Sequence, residues 1–334
     1  MSRYMNLFTI VILITLSCII CTTAAGDKEP VITLVYVGEI SDNSYLAQAM
    51  LGITRGQEDF HFNIRKIQWD KSSPVDPVKD EDGTCSCMVL IMGDIMNGDD
   101  YTYSREYSGI PFVIIDGPDL SGPAVSSVSF SMYGTSYLAG VLAANQTKTG
   151  KIGVIAGVDA PVLRGFTDGF IDGAYAENPE AKVNISYLAE DYTGFFMPER
   201  AGDITRDMHR NGTDVIYQIA GGSGLGVIET AHDLSDLLVI GSDSDQSVLA
   251  PDTVMASAIK RVDLVLYEKI QSVFSDTYKP GSEIIGLKDN ATSLLLNPRF
   301  NSHASLIRSR MMEAVEKENK YSGAYTIISS TLQE

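Results

Sequence analysis

The chain predicts an α/β protein built on two parallel sheets, and three observations carry that prediction. Short β-branched runs alternate with helical stretches from Val31 to Thr277, which is the pattern of repeated strand–helix–strand units. Many of the strands end in a glycine or a carboxylate, as at Gly38, Asp116, Gly157 and Gly241. Finally, 334 residues with no low-complexity linker are too many for one small sheet. Two sheets with the chain crossing between them fit best.

Taken in order, Val31 to Gly38 reads as a buried strand and Ser44 to Asp59 as a helix carrying Leu46, Met50 and Ile53 near one face. Asn63 to Trp69 is a second strand. Ser72 to Gly83 is a proline- and acid-rich loop with room for a short helix. Strands follow at Met88 to Met92, Pro111 to Asp116 and Ala124 to Phe130. Tyr133 to Gln146 is helical, Lys151 to Gly157 a strand, Pro161 to Asn178 a helix and Lys182 to Leu188 a strand. A helix from Pro198 to Asn211 precedes a strand from Asp214 to Ala220, and both prolines sit at helix starts, where a missing N–H costs nothing. Val227 to Leu234 is a helix, Leu237 to Gly241 and Val254 to Ile259 are strands, and Val262 to Thr277 is a helix.

Net charge is −18, which repels phosphate backbones and anionic headgroups, so no nucleic acid partner is expected. Arg3, the apolar run Leu7 to Ile20 and the small residues Thr23, Ala24 and Ala25 read as a signal peptide over residues 1–25. An uncleaved anchor is the alternative, and lipidation at Cys18 or Cys21 fits the usual flanking pattern poorly and stays open. The chain is therefore expected on the extracellular or periplasmic side of the membrane. Beyond this segment the cysteines are Cys85 and Cys87. A C-x-C pair lacks the four ligands of structural zinc, so no metal is expected. Two small apolar residues leading into a strand, or a strained oxidised pair outside the cell, are the readings left. Sequons stand at Asn145, Asn184, Asn211 and Asn290.

The residues that bear on chemistry lie near the carboxyl ends of strands, which face the ligand crevice in open α/β sheets. Gly221, Gly222, Gly224 and Gly226 would let backbone N–H groups approach a ligand. Asp243, some 20 residues on, makes this stretch imitate a dinucleotide fingerprint, but the spacing is G-x-G-x-G rather than G-x-G-x-x-G. No Lys-Ser/Thr follows the glycines, which excludes a P-loop. Asp243 offers two acceptor oxygens suited to vicinal hydroxyls, against the alternative of a helix cap; Asp245 is read as that cap. Gly222-Ser223-Gly224 does not complete a nucleophile elbow, because Leu225 stands where the motif needs glycine. With no nucleophile–base pair and no cofactor expected, the chain reads as a binding protein and not an enzyme. A nucleoside hydrolase and a sensor of a sugar-like signal are the alternatives.

The motifs Ser136 to Gly140, Gly150 to Gly157, Ala220 to Gly226, Val239 to Gln246 and Ala256 to Asp263 follow the order found in the basic membrane protein family of solute-binding proteins. That family includes purine nucleoside receptors of ABC transporters, and the resemblance runs from about Val31 to Pro298. It implies the type I periplasmic-binding-protein fold: two doubly wound parallel-sheet lobes joined by a three-crossover hinge. By analogy the crossovers fall near Ser127, Arg261 and Gly286. Lobe 1 is then 31–127 plus 262–286, and lobe 2 is 128–261 plus 287–334.

The resemblance also implies ligand-binding roles for individual residues. Asp42, Ser44 and Tyr45 match the loop after the first strand, although Leu46 replaces an asparagine and removes a polar contact to the base. Asp116 matches the carboxylate ending the fourth strand. Phe196, in Tyr192 to Phe196, takes the place of the base-stacking phenylalanine, so that it and Tyr45 would sandwich a planar base. Gly222 lies in the glycine turn, Asp243 inherits the ribose-binding role, and Lys260 matches the hinge-side lysine. The implied partners are a nucleoside and ABC permease and ATPase subunits, with the receptor a monomer.

Overall fold

A run such as Met88–Met92, apolar at every position and buried at every position, needs cover on both faces. The protein supplies it by building two six-stranded sheets. The computed structural model describes residues 29–40, 44–69, 75–93, 102–117, 119–120 and 122–331. Residues 1–25, expected to be a signal peptide, and Asp42 lie outside the described residues.

The first strands are β1 (Val31–Tyr36), β2 (Asn63–Gln68), β3 (Met88–Met92), β4 (Phe112–Ile115) and β5 (Val125–Phe130), with helices α1 (Tyr45–Phe60) and α2 (Thr102–Glu106) between them. Next come α3 (Tyr133–Gln146), β6 (Lys151–Val158), α4 (Pro161–Glu177), β7 (Lys182–Ala189), α5 (Pro198–Arg210), β8 (Val215–Ile219), α6 (Gly224–Leu234), β9 (Leu238–Asp243) and β10 (Val254–Lys260). The chain ends with α7 (Val262–Phe274), β11 (Gly281–Ile285), β12 (Thr292–Leu296) and α8 (Ala304–Thr331).

One sheet has the order β11-β5-β4-β3-β1-β2 and the other β12-β10-β9-β8-β6-β7. Pairing of β1 with β2 and β3, of β3 with β4, and of β6, β8, β9 and β10 along the second sheet is parallel. The chain passes from the first sheet to the second after β5, returns to it at β11 and leaves again for β12. The expectation of two parallel-sheet α/β layers therefore holds, with one correction. β12 runs antiparallel to β10, with Ala256 opposite Leu296, and closes one edge of the second sheet.

Other differences follow from weak local signals. β11 reads Gly-Ser-Glu-Ile-Ile and is mostly exposed, so neither alternation nor an apolar run marks it. Between Lys79 and Cys85 an antiparallel bridge closes the acid-rich loop, with Asp76 accepting from the Val78 and Lys79 amides. The short helix allowed for there does not form in residues 75–83. Cys87 donates its backbone N–H to Val31 at 2.7 Å and leads into β3 as a free thiol, pushed up to about 11 by burial. A Cys85–Cys87 bridge is thereby overturned. The four sequon asparagines are all exposed.

The chain divides into two compact units. The first comprises residues 29–37, Phe60–Ser127 and Ser272–Ser282. Its core gathers Val35, Trp69, Val89, Ile91, Phe112 and Ile114. The second comprises Gly38–Asp59, Val128–Gln271 and Glu283–Glu334, with a cluster around Ile155, Ile216, Val227 and Val239. Within it α3 and α4 pack backbone to backbone. A Cβ at Gly140 would stand on the Phe170 carbonyl, and one at Gly173 on the Tyr137 carbonyl. Across this pair lies α8, whose Glu318 accepts from the Gly134 and Leu287 amides at 3.0 and 2.8 Å. Gly134 is in the first turn of α3, where backbone N–H groups have no partner within the helix. Among the described residues no helix is long and apolar enough to cross a membrane.

Candidate functional site

Two strands end in an aspartate held in the left-handed backbone region: Asp116 directly after β4, with φ 52°, and Asp243 at the end of β9, with φ 67°. Asp and Asn enter this region more readily than other side-chain-bearing residues. Both aspartates are half-buried. Asp116 belongs to the first unit and Asp243 to the second.

The turn that carries Asp243 is fixed by amides that the sequence reading passed over. Gln246 Oε1 accepts from the Ser242 N–H at 3.1 Å and from Gln218 Nε2 at 2.5 Å, and the Gln246 N–H donates to Ser257 Oγ at 3.0 Å. Gln218 Oε1 accepts from the Ala220 N–H at 3.2 Å. Both glutamines are buried, so the ends of β8 and β9 are tied to the middle of β10 by a polar network. The one sequence signal was the glutamine closing Gly241 to Gln246. Asp245 does not cap a helix. Its Oδ1 accepts from the Ser247 N–H and hydroxyl at 3.0 and 2.6 Å, closing a turn, because no helix follows. Burial first, and the Asp243 charge second, push the Tyr217 phenol far above its ordinary value.

The glycine stretch divides. Gly221–Ser223 forms a 3-10 turn in which Gly221 takes φ 55°, and α6 begins at Gly224, three residues before the predicted helix start. A Cβ at Gly224 would overlap the Gln218 amide and one at Gly226 the Pro198 carbonyl. These two glycines therefore serve packing rather than ligand approach. Gly222 is half-buried beside the Phe195 carbonyl. Ser223 donates its hydroxyl to the Gly194 carbonyl at 2.7 Å and accepts from the Met197 N–H at 2.6 Å. Its hydroxyl is committed to pinning the glycine turn onto the aromatic turn Tyr192–Phe196.

In that aromatic turn Asp191 accepts from the Thr193 hydroxyl and N–H, which hold its carboxyl below the usual range. The adjacent phenylalanines separate. Phe195 packs over Gly157 and Gly221, whereas Phe196 is 54% exposed and its ring edge lies 2.5 Å from where a Cβ on Gly38 would stand. Gly38 itself has φ 84°, so this position favours glycine for two reasons.

Ser44 accepts from the Ala47 N–H at 3.1 Å and caps α1. Tyr45 is the first residue of that helix, and its ring centre lies 5.3 Å from the Lys260 ammonium. Lys260, the last residue of β10, is only 5% exposed. The two rings that the resemblance places around a base are thus engaged separately, Tyr45 with Lys260 and Phe196 with Gly38. Among the described residues no group of His, Cys, Asp or Glu side chains could hold a metal.

Comparison with known proteins bears on this arrangement. The profile of the family described as "ABC transporter substrate-binding protein PnrA-like" matches residues 29–322. Basic membrane protein D of Borreliella burgdorferi is 31% identical over 313 residues, covering 90% of this chain and 89% of its own. Basic membrane protein B of Borrelia garinii is 32% identical over 285 residues, covering 81% and 82%. Among solved structures, an ABC transporter solute-binding protein from Aeropyrum pernix superposes with a TM-score of 0.68 at 20% identity, covering 91% of this chain and 90% of that one. A LacI family regulator from Enterococcus faecium with bound ribose gives 0.61 at 12% identity, covering 79% and 98%. At such identities the likeness is one of fold: the type I periplasmic-binding-protein fold.

Proposed function

Because the chain belongs to the PnrA-like family of ABC transporter substrate-binding proteins, and so to a family of extracytoplasmic solute receptors, we propose that its solute is a purine nucleoside, bound without turnover and delivered to ABC permease and ATPase subunits. The observation that carries this reading is Asp243. A half-buried carboxylate in the left-handed region closes a strand, next to Ser242, whose backbone N–H is held by Gln246 and through it by Gln218. Its two acceptor oxygens suit the vicinal hydroxyls of a ribose. The exposed ring of Phe196 supports the reading, since a flat apolar face suits a base.

The remaining assignments, Asp42, Ser44, Tyr45, Asp116, Gly222 and Lys260, enter the proposal on the resemblance alone. The absence of turnover is supported by the family and by Ser223, whose hydroxyl is already committed to a carbonyl. We further propose that the receptor works as a monomer. It is held outside the cell by export through residues 1–25, with the segment cleaved, retained as an anchor or replaced by a lipid.

Titration calorimetry with inosine and 2′-deoxyinosine tests the ligand. Inosine is expected to bind and the deoxy compound to bind at least tenfold more weakly, since each hydrogen bond to a charged group contributes about 1.5–3 kcal/mol. Inosine at 100 times its Kd should stabilise the fold by about 2.7 kcal/mol. Equal affinity for the two compounds removes the ribose assignment, and release of free base on overnight incubation overturns the receptor reading.

A further inference from the structure

Asp243 sits in the middle of a very tight turn. The Ser244 N–H donates to the Ser242 carbonyl at 2.8 Å, and the residue between them has φ 67°. A bond from i+2 back to i around a positive φ is the rare, strained form of γ-turn. Such a turn persists only where its surroundings over-determine it. Here they act through Ser242, which is 2% exposed. Its N–H donates to Gln246 Oε1 at 3.1 Å, and its hydroxyl accepts from Gln218 Nε2 at 3.2 Å.

The two glutamine amides fit only one way round. Gln246 Oε1 has to be the atom at Ser242, because a backbone N–H can only donate. For the same reason Gln218 Oε1 has to be the atom that accepts from the Ala220 N–H, at 3.2 Å. That leaves Gln218 Nε2 to donate to Gln246 Oε1, at 2.5 Å. Flipping either amide sets N–H against N–H at a backbone group that cannot turn. The result is a relay of one polarity, from the Ala220 amide at the glycine turn to the Ser242 amide beside Asp243. Gln218 is fully buried and Gln246 nearly so. Glycines leave room for both: a Cβ on Gly241 would stand 2.5 Å from Gln246 Oε1, and one on Gly224 would overlap the Gln218 amide.

We propose that Gln218 and Gln246 are positioning residues whose one-way amide relay sets the Asp243 turn and the glycine turn Ala220–Gly226 together, so that disturbing either amide weakens ligand binding. The proposal rests on the reading of Asp243 as a ligand residue. Neither glutamine has to touch the ligand. Without the Gln218 donor, Gln246 is free to rotate and the Ser242 N–H loses its acceptor. The strained turn can then relax toward extended backbone, which carries the Asp243 carboxylate with it.

The test replaces Gln218 with Glu, which keeps the shape and changes the donor. A carboxylate sets an oxygen against Gln246 Oε1, whereas the protonated acid restores an O–H there and still accepts from Ala220. Burial favours that neutral form. By calorimetry, inosine is expected to bind Gln218→Glu about tenfold more weakly than the unsubstituted protein at about pH 8. The deficit should close to about threefold or less at about pH 5. Taking the ratio of the two proteins at each pH removes the titration of other groups, Asp243 included. Gln218→Met, uncharged and of similar length, should keep its deficit at both pH values. Affinities within about twofold of the unsubstituted protein for both variants overturn the proposal. So does a Gln218→Glu deficit that stays open at low pH, since volume and not donor polarity would then matter. A second measurement needs no ligand. Gln246→Met removes the acceptor of the Ser242 N–H, and amide hydrogen exchange is expected to speed up about tenfold there and also at Ala220, whose own acceptor is Gln218. An Ala220 amide that exchanges as before overturns the relay whatever binds. If inosine does not bind at all but Ala220 responds as stated, the nucleoside reading fails and the relay stands.

Discussion

At Asp243 backbone and side chain are chosen together. A φ of 67° disfavours most residues that carry a Cβ by about 1–2 kcal/mol, and Asp and Asn least, because their short side chains bond locally. The position therefore separates fold from binding. Asp243→Asn should keep the melting temperature within a degree or two while removing the charge, and inosine affinity should fall at least tenfold by calorimetry. Asp243→Ala should lose binding as well and additionally cost about 1 kcal/mol of stability in urea unfolding. An Asn variant that binds as the unsubstituted protein does would show that the carboxylate caps its turn and nothing more. Gln246 is the residue that the same logic identifies behind it, since its side-chain oxygen holds the Ser242 amide and the Gln218 amide at once.

Helices in the second unit approach so closely that glycine is required by the neighbour rather than by its own φ. On α4, Gly173 faces the Tyr137 carbonyl of α3. A methyl there has backbone in its way, which cannot swing aside as a side chain would. Gly173→Ala should cost about 2–3 kcal/mol and lower the Tm by several degrees. The C-terminal helix α8 is bound to the same layer by Tyr321, which donates to Asp168 at 3.0 Å and stacks on Tyr133 at 4.5 Å, and by Arg310, which pairs with Glu177 at 3.0 Å. Its Glu318 caps α3 and the turn after β11 while buried. Burial raises that carboxyl above its ordinary value. The folded protein then holds a proton that the unfolded chain has released. This contribution to stability is present below the unfolded value near 4.3 and is lost as pH rises through the folded one. Glu318→Gln has no such titration. The Tm gap between unsubstituted protein and Glu318→Gln should accordingly narrow as pH rises from about 4 to 7, in scanning calorimetry at constant ionic strength. A gap that widens instead would mean the charged form is the one the helix start prefers.

For the whole molecule the dominant physical quantity is charge. A net −18 creates a field that repels other polyanions beyond contact distance. In about 50 mM salt, neither duplex DNA nor vesicles rich in phosphatidylserine should retain the protein cleaved after residue 25, as sedimentation would show. Retention on either would point to a cationic patch large enough to overcome the net field. The chain's course between the sheets, at the end of β5, at β11 and at β12, follows the three passages that the resemblance implied. The fold is shared with a solved solute-binding protein at about one residue in five identical.

Much of this was legible in the chain itself, because the strands are short apolar runs whose burial is decided locally. Met88–Met92 and Val215–Ile219 are short runs of strand length rich in β-branched and apolar residues, and both are buried strands, while strand–helix alternation leaves few topologies once crossovers are right-handed. The family was legible too, since five motifs in one order are unlikely to arise separately. What the sequence could not decide depends on neighbours distant in the chain. β11 is exposed and weakly patterned, and it is a strand because β5 offers it an edge. Gly224 and Gly226 looked like ligand-approach glycines until Gln218 and Pro198 were found in the space their side chains would fill. Lys260 read as a hinge-side cation, but its burial among Tyr45, Phe130 and Phe166 is written across residues 45 to 260 and has no local pattern. Local sequence fixes which groups of the backbone must be paired and which side chains must leave water; which partners they meet is settled only when elements far apart in the chain pack together.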